Sequence, residues 1–91
     1  MQKNRTTVRI AGRDYTIASY DSEEHVNRVA ASVNRSMSEL GAATRLPTAQ
    51  LAVLAAVNAT DDMLKSRDEI RRLRGQLEAL EAKLEEARRD D

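Results

Sequence analysis

The sequence predicts an α+β protein: a small β-hairpin plus helix head, followed by a long C-terminal helix that forms a coiled-coil stalk. Three observations predict it. Residues 6–19 alternate apolar and polar side chains around a glycine, residues 26–40 place apolar side chains three and four apart, and residues 48–88 contain no helix stop. The expected division is a dimerising, partner-binding head over residues 1–62 and a coiled-coil stalk over residues 63–91.

In the first segment Val8 and Ile10 flank Arg9, and Tyr15 and Ile17 flank Thr16, which is the period of two of half-buried strands. Gly12-Arg13 is the predicted turn, because glycine accepts the positive φ of a primed turn. That turn pairs Ile10 with Tyr15 and Val8 with Ile17 on one face. It sets Arg9 against Thr16 on the other and leaves Arg13 at the tip. A two-stranded hairpin is marginal in water, so its apolar face needs a cover.

The cover follows at once. Asp21 or Ser22 can cap a helix, with Glu24 in capping-box spacing after Asp21. Val26, Val29, Ala30, Val33, Met37 and Leu40 then form one apolar stripe. Gly41 is the expected helix end, and Pro47 fits the first turn of a second helix, where its missing N–H costs nothing.

That second helix, roughly 60 Å long at forty residues, is too long for one small core. From Leu51 to Val57 it is apolar nearly all round, which predicts burial on more than one side. One side can pack on the hairpin and first helix; the other needs a second chain. From Ile70 the pattern narrows to Ile70, Leu73, Leu77, Leu80, Leu84 and Ala87, spaced 3, 4, 3, 4, 3. With Met63 before it, that is an a/d seam, Ser66 being its weak d position and Gly75 an exposed f position. Leu51, Leu54, Val57, Met63, Ile70, Leu73, Leu77, Leu80 and Leu84 are therefore the candidate oligomerisation residues.

Composition narrows function. The 91 residues include no cysteine and one histidine, so disulfides, thiolate metal sites and multi-histidine clusters are excluded. Fifteen basic and fifteen acidic residues cancel, and bulk charge names no polyanionic partner. The longest apolar run, Leu51–Val57, falls far short of the roughly 20 residues that cross a bilayer. No signal-peptide pattern opens the chain, so a cytoplasmic location is expected.

Ser22 and His25 suit a helix cap and its solvated first turn better than a nucleophile and base. Glu23-Glu24 and Asp61-Asp62 are adjacent on helices and point apart. The glycines are isolated, so no phosphate loop exists. The run Arg71-Arg72-Leu73-Arg74 follows directly on Asp68 and Glu69, and the leucine seam passes through it, unlike a groove-reading basic helix. No enzymatic activity, metal, cofactor or small-molecule ligand is expected, nor a membrane or nucleic-acid partner.

Three segments in order resemble one family. Val8-x-Ile10-x-Gly12-Arg13-x-Tyr15-x-Ile17, His25-Val26-x-Arg28-Val29-Ala30-x-x-Val33-Asn34 and Gln50-Leu51-Ala52-Val53-Leu54-Ala55-Ala56-Val57-Asn58 are similar to the ZapA cell-division proteins, which associate with the bacterial tubulin homologue FtsZ. The resemblance covers about residues 6–65. It implies a cytoplasmic protein at the mid-cell division ring, with a head dimer, a coiled-coil stalk, and two dimers joining through their stalks. Heads at both ends would then crosslink or bundle FtsZ filaments. It further implies that head charges make the filament contact, Arg13 matching a position implicated in it, with Arg9 and Asp14 beside it. Ala49 stands where some members carry an acid, so no binding role is carried over there. Homodimer and homotetramer, an antiparallel dimer of dimers, both stay open. So do two readings from other classes: a DNA-associated coiled-coil protein and a generic dimeric scaffold.

Overall fold

The computed structural model describes residues 2–90. The element order is β1 (Asn4–Ile10), β2 (Arg13–Ser19), α1 (Glu23–Ala43) and α2 (Thr48–Arg89). Two compact units divide the chain, Met1–Val57 and Asn58–Asp91.

In the first unit β1 and β2 form an antiparallel hairpin whose register differs from the expected one. Val8 pairs with Tyr15, Thr6 with Ile17 and Ile10 with Arg13. The turn is Ala11-Gly12, with φ of 52° and 82°. A primed two-residue turn needs positive φ at both central residues, and here alanine supplies one of them. The displacement moves every pair by two positions along β2, so the facing rule survives. Thr6, Val8, Ile10, Tyr15 and Ile17 still share one face. The opposite face carries the Thr7–Thr16 hydroxyl pair at 3.2 Å and the Arg9–Asp14 pair.

Helix α1 covers the first face. Ser22, not Asp21, is its cap: the Ser22 hydroxyl accepts from the His25 N–H at 3.1 Å. Asp21 is held instead by Ser19, whose hydroxyl donates to its carboxylate at 3.0 Å, while Asn4 Nδ2 donates to the Asp21 carbonyl. Val8, Val26 and Ala30 form the buried centre, with Ile10 and Ile17 packed on it. Two strands are narrow, and they cover only part of the predicted stripe. Met37 is buried, Val33 and Leu40 are half-buried, and Val29 is exposed.

Gly41 does not end α1. The helix continues to Ala43, and Thr44 caps it by donating both its N–H and its hydroxyl to the Leu40 carbonyl. A Cβ at Gly41 would lie 3.4 Å from Leu51 Cδ1, so this glycine marks a close approach of α1 to the start of α2 rather than a left-handed turn. Pro47 stands just before α2, its carbonyl accepting from the Leu51 N–H at 3.1 Å. Of Leu51–Val57, Ala55 is buried, Leu51 and Leu54 are half-buried, and Val53 and Val57 are exposed.

The second unit is the remainder of α2, and its described residues are all exposed. Its charges pair along the helix at three- and four-residue spacing: Lys65 with Asp61 at 2.7 Å, Arg71 with Asp68 at 3.7 Å, Arg72 with Glu69, and Arg89 with Glu85 at 3.9 Å. Such pairs support an isolated helix by only about 0.3–0.5 kcal/mol each. Among the described residues no single helix is long and apolar enough to cross a membrane.

Candidate partner-binding and assembly surfaces

The hairpin tip separates the three head residues expected to bind a partner. Arg9 and Asp14 face each other across the strands on the face turned away from α1, with nitrogen and oxygen 3.5 Å apart. Both side chains are exposed, so this is a weak surface pair. Arg13 pairs with Ile10 and so lies on the other face. It lines a groove of about 510 Å³ with Ile10, Tyr15, Met37, Ala49 and Ala52. The lining thus joins one cation to an apolar floor, with Tyr15 half-exposed at its edge. Among the lining side chains that sequence reasoning had not assigned to a partner site are Tyr15, Met37 and Ala52. Periodicity puts Tyr15 and Met37 on apolar faces that pack inward, and it does not place the short loop between α1 and α2.

Asn34 is the other residue that periodicity did not single out. It lies four positions after Ala30 and eight after Val26, on the row of α1 that faces the hairpin. Its Nδ2 donates to the Arg9 carbonyl at 2.7 Å and its Oδ1 accepts from the Ala11 N–H at 3.0 Å. A polar residue interrupting an apolar row was the signal.

Along α2, the seam residues Met63, Ile70, Leu73, Leu77, Leu80 and Leu84 are all exposed, from 43% at Met63 to 63% at Leu80. Their spacing keeps them on one side of the helix. Leu51 and Leu54 are partly covered within the head, while Val57 is open. Of the basic run, Arg71 and Arg72 are bound to carboxylates of their own helix. The Glu69 hydrogen bond raises the Arg72 guanidinium above its ordinary pKa, outweighing slight desolvation. Among the described residues no group of three or more acidic or histidine side chains is placed to hold a metal ion.

Residues 6–90 match the family model described as cell division protein ZapA. The ZapA protein of Halalkalibacterium halodurans is 47% identical over 76 residues, covering 82% of this chain and 84% of its own. That of Geobacillus kaustophilus is 42% identical over 90 residues, covering 98% and 94%. Among solved structures, a ZapA mutant dimer from Geobacillus stearothermophilus superposes with a TM-score of 0.72 at 42% identity, covering 86% of this chain and 92% of that one. The family match spans nearly the whole chain and the fold agrees with that of a family member, and the chain belongs to the ZapA family of cell division proteins.

Proposed function

We propose that this protein is a non-enzymatic crosslinker that binds FtsZ filaments at the division ring and bundles them through its own self-association. The observation that carries the reading is the row of leucines on α2, exposed among the described residues. Burying one such side chain against a partner helix contributes roughly 1.5–3 kcal/mol, so a second copy is the natural cover. Membership of a cell-division family and the dimeric state of the Geobacillus stearothermophilus relative support self-association. Membership of a cell-division family supports FtsZ as the partner, and Arg13 is the head cation offered to it. Bundling then needs bivalency: two heads on one particle reach two filaments, and linkage raises avidity without new contacts.

Co-sedimentation with FtsZ filaments, beside light scattering for bundles, tests this. The full-length Leu77→Asp variant should keep its helix content, bind filaments weakly and fail to bundle them. Arg13→Glu should keep its fold and oligomer mass yet lose filament binding. Bundling by Leu77→Asp at the level of the parent would place the crosslink outside the seam. Full binding by Arg13→Glu would remove that residue from the contact.

A further inference from the structure

We propose that Asn34 is a positioning residue for the partner-binding tip: its amide holds the hairpin turn in the backbone conformation that presents Arg13. This rests on the reading of Arg13 as the filament contact. Ala11 occupies the left-handed region at φ 52°, where a Cβ is disfavoured and glycine or asparagine is the usual occupant. Nothing in Ala11 itself favours that conformation. Asn34 braces the chain that enters the turn, by making one bond on each side of Ile10. It takes the Ala11 N–H and gives its own N–H to the Arg9 carbonyl. The carbonyl can only accept and the amide N–H can only donate, so the orientation of the Asn34 side chain is fixed by its partners.

The clamp reaches from α1 across 23 and 25 residues of sequence, so it sets the turn relative to the helix, not only relative to the strands. Arg13 is the first residue after the turn and the partner of Ile10 in the ladder. A turn that relaxes to another type would change its direction at the groove without unmaking the Val8–Val26–Ala30 core. The effect expected from losing Asn34 is therefore on binding before folding.

The experiment is a double-mutant cycle on the full-length chain, read by FtsZ co-sedimentation, hydrogen exchange at the Ala11 amide, circular dichroism and oligomer mass. Asn34→Ala should speed Ala11 exchange and weaken filament binding by roughly tenfold, about the value of one hydrogen bond to a formerly paired group, with oligomer mass unchanged. In an Arg13→Ala background the same change should add no further loss of binding, because it acts through Arg13. Ala11→Asn should restore binding to Asn34→Ala, since Asn-Gly prefers this turn unaided. Independent, additive losses, or no rescue by Ala11→Asn, would overturn the positioning role and leave Asn34 a structural residue. Loss of binding by Arg13→Ala with none by Asn34→Ala would sink this inference alone. Undiminished binding by Arg13→Ala would instead remove the filament-contact reading, and the positioning role with it.

Discussion

Val26, Ala30 and Met37 in α1 are buried within their own chain, whereas Ile70, Leu77 and Leu84 in α2 stay exposed. Both sets are apolar residues at helical spacing, and the second is the more hydrophobic. The difference lies in what the neighbouring sequence supplies. Immediately before α1 stands a hairpin whose apolar face matches it; residues 58–90 have no second element of their own. A helical apolar stripe thus states that a cover exists, and the elements around it state whether the cover is the same chain. Where none is available locally, the stripe is the candidate for an intermolecular surface.

The largest effect expected from that contrast comes from placing one charge in each setting. Val26→Asp would bury an unpaired carboxylate under the hairpin and cost several kcal/mol. In a core this small, thermal unfolding followed by circular dichroism should show the head lost. Leu80→Asp, at a position open to solvent in the single chain, should retain the helix and shift only the sedimentation profile toward smaller species. A Val26→Asp protein that melts like the parent would show the head core to be dispensable.

A smaller change tests the start of α1. Ser22→Ala removes the cap on the His25 N–H and should destabilise the head by about 1 kcal/mol, visible as a lower denaturant midpoint at unchanged slope. Gly75→Ala addresses the other region: nothing lies within 4 Å of the added methyl, so helix propensity alone should stabilise the stalk, by about 0.8–1 kcal/mol. No gain in stalk melting temperature would mean that Gly75 is covered in the assembly. The smallest effect belongs to the outward face of the hairpin. Asp14→Asn breaks the exposed pair with Arg9 and should move stability by less than about 1 kcal/mol. A larger loss would mean that the hairpin ladder depends on that pair.

The elements were legible because their periods differ. Strands of period two, a 3.6-residue stripe and a heptad seam cannot be mistaken for one another over these lengths. The details that sequence reasoning missed all depended on contacts between elements. Glycine marked the turn correctly but not its partner residue, since Ala11 takes a positive φ that alanine does not favour by itself, and the amide that holds it arrives from α1. Gly41 looked like a helix end and is a contact point for Leu51. Arg13, expected at the tip, stands in β2 opposite Ile10 because the turn falls at Ala11-Gly12, while Arg9 faces Asp14 on the other side of the hairpin. The apolar run Leu51–Val57 divided between cover and exposure, as an all-round apolar helix segment does when only one side has a neighbour in its own chain.

If a second copy covers the open seam on α2, as proposed, this protein's stability becomes a property of its amount. A helix whose apolar side is satisfied only by another copy follows mass action, so its melting temperature rises with protein concentration, and dilution alone dissociates it. The head's hairpin core, closed within one chain, supplies a contribution that does not depend on dilution. Folded heads and assembled stalks are then separable populations, and the quantity of protein present decides how many of the first become the second.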